Sequence, residues 1–194
     1  MPSNMNQVQC YSYFSIASQT QTIRTGEGRL AHVAVENGNF DPAVITDLLG
    51  LHPHRAWQQG DRNAFNKPYG FSCWSGCMQK KPVFDAGRQC QRIALQLHDK
   101  IPVLNALRQQ YAVQFWISVV SVLHPEESTP ALSLGHEVIA FCYLTGTRGQ
   151  MALNWLAGRL GGFHPRHTQG LSTVWDVGSG LVRAKCCRWG CQQW

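Results

Sequence analysis

Two histidines, an arginine, a tryptophan and an aspartate fall within the ten residues His52–Asp61: His52, His54, Arg55, Trp57 and Asp61. Imidazole exchanges protons near neutral pH, a guanidinium clamps carboxylates or phosphates, and an indole offers a flat apolar contact. The set suits either acid–base chemistry or recognition of another surface. A second group follows in Cys73-Trp-Ser-Gly-Cys77. That gap is permitted in a zinc knuckle, but a knuckle needs a second ligand pair at similar spacing. His52 and His54 could complete such a site only if their loop folds onto this turn. A catalytic Cys or Ser needs a positioned base and an oxyanion stabiliser, which His52, His54 and Arg55 could supply. No nucleophile elbow, phosphate loop or paired-metal motif is present, and Glu126-Glu127 reads as a solvated loop face.

The first reading is therefore a non-enzymatic module that binds a protein partner through His52, His54, Arg55, Trp57, Asp61 and Trp74, with no cofactor. The second is a metal-binding protein or hydrolase-type enzyme using the same loop with Cys73 and Cys77. The third is nucleic-acid binding through a basic C-terminal tail.

The element that must position the loop is the helix before it. Asp41 is a good N-cap and Pro42 suits the first helical position. Phe40 and Ile45 have the spacing of a hydrophobic staple. Val44 with Leu48, and Ile45 with Leu49, make an apolar face, and Gly50 supplies a left-handed stop. Pro53 prevents continuation. Around this unit the chain alternates as strands at 10–18, 30–35, 71–75 and 112–123. Residues 20–28 read as a polar hairpin loop. Asp85 and Ser133 are placed to cap two further helices. The first carries the stripe Cys90, Ile93, Leu97, Ile101, Leu104 and Tyr111, and Pro102 must kink or split it. The second turns Leu134, Val138, Phe141 and Cys142 inward and ends at Gly146. The fold class expected is α+β: a single antiparallel or mixed sheet with helices on one face, ferredoxin-like in outline, with an irregular C-terminal tail.

Charge divides the chain. Residues 1–147 carry 11 Lys and Arg against 10 Asp and Glu, whereas residues 148–194 carry six basic residues against Asp176 alone. The body is nearly neutral, so a phosphate-binding face is not expected there. No run approaches the roughly 18 apolar residues of a membrane span. The first residues, Met-Pro-Ser-Asn-Met-Asn-Gln, carry no basic or apolar leader, so a soluble cytoplasmic chain with reduced thiols is expected.

The run Asp41-Pro42, Ile45-Thr46, Leu49-Gly50-Leu51, Pro53, Trp57, Gly60-Asp61 and Phe71-Ser-Cys-Trp74 resembles the bacterial domain-of-unknown-function family numbered 4279. Pro130-Ala-Leu-Ser-Leu134 and Val138–Gly146 are similar to that family's third helix. The resemblance spans about residues 10–147. It implies a small cytoplasmic bacterial α+β protein and, by association, an immunity-like or accessory factor. It carries over no catalytic residues.

After Gly146 the resemblance implies a strand of alternating apolar and acidic residues, where this chain reads Thr147-Arg-Gly-Gln-Met-Ala-Leu-Asn-Trp-Leu156. The expected division is thus an α+β domain at 1–147 and a basic Gly-, Trp- and Cys-rich tail at 148–194. The tail reads in three ways: a flexible basic appendage, a metal knuckle of Cys186, Cys187, Cys191, His164 and His167, or a sequence not selected to fold. The shift in composition at the same point favours the last.

Overall fold

The computed structural model describes residues 9–81, 85–123, 132–155, 170–176 and 185–189. In chain order the elements are β1 (Gln9–Ser18), β2 (Thr20–Arg24), β3 (Leu30–Ala34), α1 (Pro42–Leu49), β4 (Arg55–Trp57), β5 (Cys73–Lys81), α2 (Ala86–Gln96), α3 (Ile101–Gln110), β6 (Val113–Leu123), α4 (His136–Thr145), β7 (Arg148–Trp155), β8 (Gly170–Asp176) and β9 (Lys185–Trp189). The main sheet runs β4-β5-β1-β6-β7, and the backbones of β8 and β9 continue it. It is mixed: β6 and β7 pair in parallel, and its other neighbours pair antiparallel. A parallel neighbour needs a crossover, which α4 provides.

Strand alternation decides which side chains meet the helices. On β1, Cys10, Ser12, Phe14 and Ile16 are all fully buried. Phe14 lies opposite Ile117 on one side and Gly76 on the other, and Ile16 lies opposite Phe115 and Trp74. These residues share one core with Ile45 and Leu49 of α1, Cys90 and Ile93 of α2, Leu104 and Leu107 of α3, and Val138 and Phe141 of α4. A buried polar group, Gln89, bonds across that layer. The Gln89 side-chain oxygen accepts a hydrogen bond from Ser12 Oγ at 2.8 Å, and its Nε2 donates to the Cys10 carbonyl at 3.1 Å.

The helix signals act as expected at 41–50. Asp41 Oδ1 accepts from the Ala43 amide at 2.8 Å, Pro42 stands first, and Gly50 is left-handed at φ 63°. Phe40 and Ile45 are both buried. Only half of the expected apolar face turns inward, because Val44 and Leu48 are exposed while Ile45 and Leu49 are buried. Pro102 splits its helix as its missing amide requires: α2 ends at Gln96, a 3-10 turn covers His98–Lys100, and α3 follows. Gly146 ends α4 at φ 65°. There the exposed Arg108 donates from Nη1 to the last-turn Thr145 carbonyl at 2.6 Å, satisfying an otherwise orphaned acceptor.

Four local expectations are corrected. Residues 20–24 form strand β2, not a loop, because Thr20, Thr22 and Ile23 are β-branched and alternate against β3. The β2–β3 hairpin is a separate two-stranded sheet. Asp85 occupies the cap position of α2 but its carboxylate makes no capping bond. The cap of α4 is Gly135 rather than Ser133. Strand β5 reaches Lys81, well past Ser75, and carries a bulge at which Cys77 adopts φ 55°. Strand β7 begins at Arg148 and lies parallel to β6.

Candidate functional site

The loop that leaves α1 returns to the sheet as its short edge strand. In β4, Arg55 pairs with Ser75, Ala56 with Trp74 and Trp57 with Cys73. Alternation then puts Arg55 and Trp57 with Ser75 and Cys73 on the sheet face away from the helices. The Arg55 guanidinium lies over the Trp57 ring, 4.6 Å from its centroid. Tyr69 stacks on Trp57 at 4.6 Å and Phe71 meets its edge at 5.8 Å. The indole N–H of Trp57 is buried and has no hydrogen-bond acceptor among the described residues. His54 rests edge-on against Tyr13 of β1 at 5.4 Å. Burial, and then the neighbouring Arg55 cation, push the His54 pKa below its usual 6.5, so it is neutral at pH 7. His52 is exposed.

Residues 58–70 extend this cluster as a hairpin closed by its own hydrogen bonds. Asp61 Oδ2 accepts from the Gln58 amide at 2.7 Å, so its carboxylate holds a turn. The Gly60 amide donates to the Tyr69 carbonyl and the Tyr69 amide to the Asp61 carbonyl. At the tip, Asn63 Oδ1 accepts from the amides of Phe65 and Lys67, and Arg62 Nη1 donates to the Asn66 carbonyl. Asn66 takes φ 59°, a conformation asparagine tolerates better than most residues. The tip side chain, Phe65, is 72% exposed.

Ser72 fastens hairpin, helix and sheet together. It is fully buried. Its Oγ accepts from the Gln59 amide at 3.0 Å and the Phe40 amide at 3.4 Å, and donates to Asn39 Oδ1 at 2.7 Å. Its own amide donates to Ser18 Oγ at 2.9 Å. Neither Phe65 nor Ser72 is singled out by the sequence reading. Phe65 had a signal, a lone aromatic between two turn-forming asparagines. A serine with three side-chain partners in different segments has none.

The structure brings His54, Arg55 and Trp57 together and removes Trp74. Trp74 faces the opposite way, is fully buried, and donates from Nε1 to Thr46 Oγ1 of α1 at 3.1 Å. It belongs to the core, because alternation in β5 sends it inward beside Cys73, which points outward. Cys73 and Cys77 do not converge either: Cys73 lies beside Ser75 on the outer face, while the bulge turns Cys77 against the helix-side core. Burial raises both thiols from 9.0 to about 11, so neither is a ready thiolate. Among the described residues, no group of three or more His, Cys, Asp or Glu side chains could hold a metal ion. Glu126, Glu127, His164, His167 and Cys191 lie outside the described residues, and only the backbone is described at Cys186 and Cys187.

Buried thiols have a consequence in alkali. Cys142, in the core, is raised from 9.0 to about 12 by desolvation. Unfolded thiols ionise first, so the fold loses stability as pH rises above 9 toward the folded value. Between pH 9 and 10 each such thiol contributes a loss of about 1 kcal/mol. Urea titrations at the two pH values should show that slope, reduced by about 1 kcal/mol in Cys142→Ala. An unchanged slope in the variant would contradict the assignment.

The family model described as domain of unknown function DUF4279 matches residues 9–148. The chain belongs to the DUF4279 family. No curated protein and no solved structure matches it. The DUF4279 match runs from the first residue of β1 to the first residue of β7, so it includes α1, the β4 edge and the closed hairpin. No helix among the described residues is long and apolar enough to cross a membrane.

Proposed function

We propose that this DUF4279 protein is a non-enzymatic module of the bacterial cytoplasm, an immunity-like or accessory factor, that docks a protein partner on β4 and its hairpin. The observation that carries the reading is Phe65, 72% exposed at the tip of a loop held shut by its own hydrogen bonds. Ordering a loop on binding is costly, and a loop already ordered avoids that loss. An exposed phenylalanine on the tip that also carries Arg62 combines two residue types enriched at protein interfaces. The raised thiols and their divergence speak against a hydrolase or zinc site at Cys73 and Cys77. A ferredoxin-like outline also fits: β5 and β6 run parallel on either side of β1, with α2 and α3 between them, which is a split βαβ unit.

The full chain should retain a specific protein when purified from its native cells. Phe65→Ala and Arg55→Ala together should release it, while Val44→Ala on α1 should not. Retention of the same protein by the double variant would overturn the assigned surface.

A further inference from the structure

Beyond His136 and Glu137 in its first turn, helix α4 has no charged outer face. Its sequence is His136-Glu-Val-Ile-Ala-Phe-Cys-Tyr-Leu-Thr145. Val138, Phe141, Cys142 and Thr145 are buried against the sheet and α2. The opposite side presents Ile139, Ala140, Tyr143 and Leu144, with Ile139 at 44%, Tyr143 at 69% and Leu144 at 52% exposure. A surface helix ordinarily turns charged and polar residues outward, and a helix apolar all round is ordinarily covered. The patch continues onto α2. Gln91 hydrogen-bonds the Glu137 carboxylate, and α2 runs in the same direction as α4. Leu95, one turn beyond Gln91 and 57% exposed, therefore comes alongside the second turn of α4.

The ends of the helix say what covers it. Glu137 stands in the first turn, and the exposed Arg108 sits at the last carbonyls. In an antiparallel α4–α4 pair with its two-fold axis near Ala140, Glu137 of each copy meets Arg108 of the other, and the helix dipoles oppose. The apolar residues between them then face their own equivalents. Four large side chains exposing about half their area give on the order of 400–500 Å² per copy. Two copies together bury about 800–1,000 Å², the size of a weak, concentration-dependent interface. We propose that a second copy of this chain covers the outer face of α4 in an isologous antiparallel pair. This goes beyond the partner-binding reading and uses none of its residues.

Sedimentation equilibrium of the full chain up to about 200 µM tests it. The wild type should be a dimer. Tyr143→Glu and Ile139→Glu, both at exposed positions, should each raise the dissociation constant at least about 100-fold. Glu137→Arg, which places two cations opposite each other, should raise it about 10-fold. Val44→Glu, an equally exposed apolar position on α1, should leave it unchanged. Circular dichroism melts show that each variant is folded. A wild type monomeric over the whole range, or a dimer untouched by Tyr143→Glu, would overturn the proposal.

Discussion

Trp74→Ala should cost about 3–5 kcal/mol of stability, close to the limit of what a single domain tolerates. The indole is fully buried between β5 and α1. It lies so tightly over Gly76 that a side chain there would collide with the ring. Removing it leaves a large cavity and strips Thr46 Oγ1 of its donor. Trp57→Ala is the contrast. Trp57 is only partly buried, at the sheet edge, and its truncation should cost about 1–2 kcal/mol. Urea unfolding of the two variants checks the ranking. Equal, small losses would mean that Trp74 is not the core residue described above.

Ser72→Ala should cost about 3 kcal/mol although it removes one oxygen atom. That oxygen accepts from the Gln59 and Phe40 amides and donates to Asn39. Losing it leaves buried donors with no partner, which is more damaging than losing both members of a pair. The loss is also local in character. Hydrogen exchange at Gln59 and in the 58–70 hairpin should accelerate more than exchange in β1 or β6. Ser15→Ala, which breaks a single hydroxyl pair with Ser75, should cost about 1 kcal/mol by the same measurement. A uniform acceleration across the sheet would show that Ser72 is not the tether of the hairpin.

The elements legible in the sequence were those whose local signals agreed with one another. Asp41, Pro42, Phe40, Ile45 and Gly50 specify α1 without help from the rest of the chain. The alternation of Val113, Phe115, Ile117 and Val119 specifies the inner face of β6. The mixed character of the sheet comes from antiparallel pairing of β1 with β5 and β6 and from the late helix crossover that sets β7 parallel to β6. The site was legible in part. Arg55 and Trp57 were visible as types that recognise surfaces, but not as residues of an edge strand, since three residues are too few for a period to show. Trp74 looked equivalent to Trp57 because composition does not say which face of a strand a residue takes. Register decides it, and register comes from tertiary pairing. Asp85 and Ser133 have capping types at plausible spacings, yet neither caps: the cap position of α4 is Gly135, two residues after Ser133, and Asp85 stands at the cap of α2 without its carboxylate bonding a first-turn amide. The closed hairpin is not legible in the sequence, since the bonds of Asn63, Asn66 and Arg62 that order it depend on their geometry rather than their identity.

The central claim is that this member of the DUF4279 family works by presenting β4 and its hairpin, not by chemistry at its thiols. Titration calorimetry with the protein that the full chain retains tests it most directly. The account predicts that Phe65→Ala combined with Arg55→Ala weakens binding at least about 100-fold, while Cys73→Ala combined with Cys77→Ala leaves the affinity unchanged. Undiminished affinity in the first variant, together with loss of binding in the second, would contradict it.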